Sequence, residues 1–113
     1  MSIAFNGYNN QILTFENKDA VVGSPAKISD AKTVSKCADG NDFIGIVTSE
    51  RGGAAGVQVD GYVEVKYSGD APDLGFSGLV ADATGGVKES ESAVKKYKVL
   101  FVDEENTVVG FIL

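Results

Sequence analysis

The chain has 113 residues, enough for one hydrophobic core and too few for two that stand independently. With 43% hydrophobic and 23% charged residues it has the composition of a folded globular protein, away from the low-hydrophobicity, high-charge mix of disordered chains. Sixteen acidic against ten basic side chains leave a formal charge of −6, which repels phosphate backbones and argues against DNA or RNA as a partner.

In chain order, the first segment is S-I-A-F-N-G-Y-N-N, rich in asparagine yet carrying Ile3, Phe5 and Tyr8. An apolar stretch that cannot bury itself locally needs a surface to lie on, so these three are candidate contact residues for a partner. The bland reading, an edge strand completing its own barrel, is equally consistent with the pattern. Residues 1–18 are therefore expected as an N-terminal arm or edge strand, and residues 19–113 as a single β-barrel domain.

Gln11 to Glu16 reads as a first strand, closed by the turn-forming N-K-D. Pro25 to Ile28 and Thr33 to Cys37 are short strand candidates. The A-D-G-N-D stretch from Ala38 to Asp42 is a turn, because Gly40 and Asn41 tolerate positive φ. Phe43 to Ser49 is apolar on both parities, which implies a strand covered on both faces. E-R-G-G-A-A-G at Glu50 to Gly56 reads as a long, flexible hairpin loop.

From Ala55 to Tyr67 the pattern alternates. Val57, Val59, Val63, Val65 and Tyr67 share one parity, and Gln58, Asp60, Glu64 and Lys66 the other, which predicts one strand with one dry face. Tyr62 lies on the polar parity and is the best candidate for an exposed, sugar-stacking aromatic. Ser68 to Ser77, which holds Gly69, Asp70, Pro72, Asp73 and Gly75, reads as a connection. Leu79 to Asp82 is a strand that turns through D-A-T-G-G into Val87. Glu89 to Lys96 is the one helical candidate, with Glu91 and Lys95 at i, i+4, and under three turns long. Tyr97 to Val102 and Thr107 to Leu113 form a hairpin around Asp103-Glu104-Glu105-Asn106. The ending V-V-G-F-I-L is apolar on both parities, so its strand is either central in a sheet or turns Phe111 and Leu113 toward another subunit.

Short strands with frequent turns argue for an all-β fold, a small antiparallel barrel or sandwich with at most one short helix. Parallel pairing is not expected, since the connections are too short for crossover helices.

Patterns that carry chemistry are sparse. The single Cys37 has no partner for a disulfide, and with no histidine in the chain it has no imidazole base to make it a nucleophile. D-G-N-D at Asp39 to Asp42 lacks the further oxygens and the distant glutamate of a calcium loop, and the three acids Asp103 to Glu105 read as a solvated hairpin tip. Neither R-G-G-A-A-G nor T-G-G has the Lys-Ser/Thr and following helix of a phosphate cradle. Sixteen acids offer many pairings for a glycosidase-type mechanism, and no pattern marks any pair. No metal and no cofactor is expected. The N-terminus lacks a basic n-region and an apolar h-region, and no apolar run has membrane-spanning length, so synthesis in the cytoplasm and no membrane partner are expected.

F-I-G-I-V at Phe43 to Val47, G-V-Q-V-D-G-Y-V-E-V at Gly56 to Val65, G-L-V-A-D-A-T-G-G-V at Gly78 to Val87, and Y-K-V-L-F-V-D-E-E-N-T-V-V-G-F-I-L at Tyr97 to Leu113 resemble small bacteriophage capsid decoration proteins, the cement or head-stabilising proteins. The resemblance covers roughly residues 19–113. It implies a small β-barrel, in some members a homotrimer, that sits on the outside of the virion. There it would bridge major capsid protein subunits of the expanded shell, with no enzymatic activity. The alternative is a carbohydrate- or receptor-binding β-domain of a virion or tail, for which Tyr62 and Tyr67 would lie exposed beside a groove.

Overall fold

The structure, a computed structural model, describes residues 11–113, so Ile3, Phe5 and Tyr8 lie outside the described residues. Among the described residues ten strands follow one another and there is no helix. Five close into a barrel in the order β1 (Gln11–Asn17), β3 (Thr33–Lys36), β2 (Pro25–Asp30), β4 (Gly45–Arg51), β5 (Ala54–Asp60). The other five form a sheet in the order β6 (Tyr62–Lys66), β10 (Val108–Ile112), β9 (Lys96–Asp103), β7 (Gly75–Ala81), β8 (Val87–Glu89). The all-β barrel expected from the alternation and turn spacing is thus present, joined to a second sheet.

The alternating stretch is two strands in two different sheets. It breaks at Gly61, whose φ of 91° is a left-handed conformation that glycine adopts without Cβ strain. Parity survives the break, so Val57 enters the barrel core while Val63, Val65 and Tyr67 enter the core of the sheet. Gln58, expected on the wet face, is buried instead. Its Nε2 donates to the carbonyls of Asp60 at 3.0 Å and Tyr62 at 3.1 Å and so staples the two sides of the break together.

β4 explains the stretch that is apolar on both parities. Ile46 belongs to the sheet core with Phe43, and the next residue, Val47, belongs to the barrel core. One strand therefore serves as the wall between two apolar clusters. At Gly45 a Cβ would lie 2.8 Å from Val57 Cγ1 and would also strike the Gln58 carbonyl oxygen, so glycine permits the close approach of β4 to β5.

Three local expectations are corrected. Residues 50–56 are not a long loop: β4 runs to Arg51 and β5 starts at Ala54, with Gly52 and Gly53 at φ 57° and 83° making a two-residue reversal of the kind that matches strand twist. Residues 89–96 are not helical: β8 ends at Glu89, Ser90 Oγ accepts from the Ser92 N–H at 3.2 Å, and β9 begins at Lys96. Serine side chains that bond nearby backbone compete with a helix already too short to nucleate well. Parallel pairing does occur, with Glu16 opposite Thr33 and Asn17 opposite Val34. Here the antiparallel β2–β3 hairpin makes the return that a crossover helix would otherwise make.

β10 is central, hydrogen-bonded to β6 on one side and β9 on the other. That resolves the ending V-V-G-F-I-L in favour of a covered strand. Phe111 is fully buried, with its ring edge-on to Phe43 at 6.3 Å and to Tyr97 at 5.2 Å, while Phe43 and Tyr97 stack at 5.4 Å. A side chain enclosed by its own core is not available to a neighbouring subunit, so Phe111 is removed as an interface residue. Leu113 is partly buried and packs against the same core.

Candidate interaction surface

The side chains that the sequence offered for chemistry are occupied structurally. Burial pushes the Cys37 thiol up to about 11, with the nearby Lys27 only partly opposing, so at neutral pH it is a protonated, weakly reactive group. Asp39 pairs with Lys88 at 2.9 Å, and Asp42 Oδ1 accepts the Val94 N–H at 3.1 Å. At the last hairpin tip Asp103 accepts from the backbone N–H groups of Glu105 and Asn106 and from Asn106 Nδ2, which together hold its carboxyl below the usual range. Among the described residues no three metal-ligating side chains converge.

Tyr62, expected on the exposed parity, and Tyr67, expected on the dry one and needed exposed only by the carbohydrate-binding alternative, are both buried. The Tyr62 ring lies across Gly110, where a Cβ would fall 2.7 Å from Cζ, and its hydroxyl donates to Glu64 Oε2 at 2.9 Å. Glycine at 110 is what lets the ring lie down, so a residue on the polar parity of its strand ends up covered.

Among the described residues Asp82 is the one buried acid, 4% exposed. Its Oδ1 accepts from the Thr84 and Gly86 N–H groups and the Thr84 hydroxyl, and its Oδ2 from the Ser68 hydroxyl at 2.8 Å. Burial alone would raise its pKa, but these donors outweigh it and hold the carboxyl below the ordinary value. The arrangement ties the D-A-T-G-G hairpin to the chain after β6 and leaves no oxygen directed at a cleft.

Exposed apolar side chains remain on the barrel, at Ile12, Leu13, Val21 and Val22, and on part of the outward face of the five-stranded sheet. Phe76 on β7 is 65% exposed, and Leu100 and Phe101 on β9 are 42% and 40% exposed. Phe76 stands opposite Lys98, and Lys98 is opposite Ile112 on the other side. Between Lys98 and Asp103 the register against β10 slips at Gly110/Phe111, so Val99 pairs with Phe111 while Phe101 pairs with Gly110. This bulge points Leu100 and Phe101 to the same side, away from the core that holds Val99 and Val102. An apolar row with lysine beside it results. Next to it, Asp73, Phe76, Gly78, Glu91, Ala93 and Lys96 are among the residues lining an open groove of about 350 Å³.

Sequence reasoning did not find this face. Phe76 fell in a segment read as a connection, and a strict two-residue period assigns Leu100 and Phe101 to opposite faces. The signal that could have found it is the run L-F within an otherwise alternating strand, which a bulge accommodates.

Compared with known protein families and with curated proteins, the chain matches none of them.

Proposed function

We propose that the protein decorates the outer surface of an expanded bacteriophage capsid, bridging major capsid protein subunits and stabilising the shell without catalysing a reaction. The observation that carries this reading is the exposed apolar row Phe76, Leu100 and Phe101 on a rigid sheet, the kind of surface that marks a protein–protein contact. The four segments that resemble decoration proteins supply the class of partner. Groups that an enzyme would draw on are taken up elsewhere: the Cys37 thiol is held protonated, and Asp82 is saturated by four donors. The carbohydrate-binding alternative required Tyr62 and Tyr67 as stacking surfaces, and their burial withdraws that support.

A protein that spans neighbouring subunits gains from simultaneous engagement, which raises avidity by about 10²- to 10⁴-fold over a single contact. Modest individual contacts then suffice, and an acidic coat avoids adhering to free nucleic acid during assembly.

Co-sedimentation with expanded capsids assembled without the protein tests the reading. Saturable binding is expected, and removal of residues 1–8, with Ile3, Phe5 and Tyr8, is expected to weaken it while the thermal unfolding of the free protein stays unchanged. Failure of the full chain to bind would sink the proposal; undiminished binding of the shortened chain would sink only the role of those three residues.

A further inference from the structure

We infer that the free edge of β1 is a self-association site, on which β1 of a second copy pairs antiparallel about a twofold axis through Leu13. The backbone of the barrel points to this occupant. β1 is paired with β5 on one side from Gln11 to Glu16, whereas β3 meets it on the other side only at Glu16 and Asn17. The Asn17 N–H donates to the Gly53 carbonyl on the β5 side at 2.8 Å, and the Glu16 N–H to the Lys32 carbonyl on the β3 side at 2.9 Å. Successive residues of a strand direct their backbone groups to opposite sides, so Ile12 and Thr14 share the side of Glu16. β1 runs past the start of β3 there, and among the described residues nothing pairs with the N–H and C=O groups of Ile12 and Thr14. Gln11 to Thr14 are exposed, and an unpaired row of this kind accepts an extended main chain.

Register and charge make that main chain another β1. Twofold pairing through Leu13 sets Ile12 against Thr14 of the second copy and Thr14 against its Ile12, so each free N–H meets a free C=O in both halves. From Gln11 to Phe15 the edge carries no charged residue and no proline, the devices that usually keep such edges apart. Glu16 is the first charge, and its counterpart in the second copy falls opposite position 10, about 20 Å away along the strand. That exceeds the screening length of about 8 Å, so a chain carrying −6 can pair with itself here without like charges meeting. Leu13 has the parity of Phe15, which packs against the barrel core, yet it is 52% exposed. At the axis it packs on its own counterpart as the close, non-hydrogen-bonded pair of the new ladder. Isologous contacts of this form are the commonest way that chains self-associate. The edge belongs to the barrel and the Phe76 row to the other sheet, so the inference does not rest on the capsid reading.

Sedimentation velocity of the full chain over a dilution series is expected to show a reversible monomer–dimer equilibrium. Leu13→Glu and Leu13→Lys, at a half-exposed position, each set like charges face to face at the axis. Each is expected to raise the dimer dissociation constant about tenfold or more with unchanged thermal unfolding. An equimolar mixture of the two variants is expected to restore the dimer, because opposite charges then meet. Amide hydrogen exchange of the wild type reads the pairing itself. As concentration rises, the Ile12 and Thr14 amides are expected to gain protection, while that of Leu13, directed at β5, stays as it is. A chain that is monomeric at every concentration overturns the inference, and so does an oligomer whose Ile12 and Thr14 amides exchange as in the monomer. A dimer indifferent to both Leu13 variants overturns it as well.

Discussion

Asp82 links a single residue to pH. Its folded-state pKa is depressed, so the stability it contributes is present above the unfolded carboxylate value of about 3.9 and is lost as pH falls through the folded value. Asp82→Asn keeps the shape but cannot accept from all four donors as a charged group does. It is expected to cost about 1–3 kcal/mol at pH 7 and to flatten the acid limb of the stability profile, both readable by urea denaturation at a series of pH values. An unchanged midpoint at pH 7 would show that the four hydrogen bonds are not holding the hairpin. Asp82 was legible as part of D-A-T-G-G, a hairpin signal, but its burial was not, because nothing in five letters says that Ser68 will sit against it. Tyr62 failed for a related reason: parity placed it correctly on its strand, and its burial depends on the missing side chain of Gly110, 48 positions away in the chain and on the adjacent strand.

At the scale of elements, local turn chemistry and apolar patterning read well where one strand ends in one sheet. Gln11–Asn17 and the hairpin of β9 and β10 lie within a residue or two of their expected bounds. The misreadings cluster where the chain changes sheet or register. The break at Gly61 was invisible because the valines keep their parity across it, and the bulge at Leu100 and Phe101 because a two-residue period has no place for an extra residue. Residues 50–56 depart from the expected flexible loop because their glycines supply positive φ. There the two glycines make a tight turn, and a substitution separates the two meanings. At Gly53 an added Cβ would meet nothing, yet φ is +83°. Gly53→Ala is therefore expected to lose about 1–2 kcal/mol through backbone strain alone, measured by denaturant unfolding. A neutral or stabilising result would mean that the loop is not held in that turn.

For the whole molecule, two apolar cores share β4 as a common wall. The barrel contributes a small cluster around Val34, Val47 and Val57, and the sheet a larger one around Phe111, Leu79 and Val99. Contacts between the two parts go beyond the chain link at Gly61: the turn at residues 38–41 exchanges backbone hydrogen bonds with Ala81, from Gly40 N–H at 2.8 Å and back to the Asn41 carbonyl at 2.8 Å. These bonds hold the two parts together beyond the chain link, as the proposed bridging of shell subunits would require. The fold class was legible from composition and strand spacing; the division into barrel and sheet was not, since both halves use the same valine-and-glycine vocabulary.

The most direct measurement is the temperature at which DNA-filled capsids lacking the protein release their DNA, with and without the purified chain added back. The proposed function predicts a higher release temperature that saturates as the surface fills. An identical release temperature at saturating protein, with the protein visibly bound or not, would contradict it.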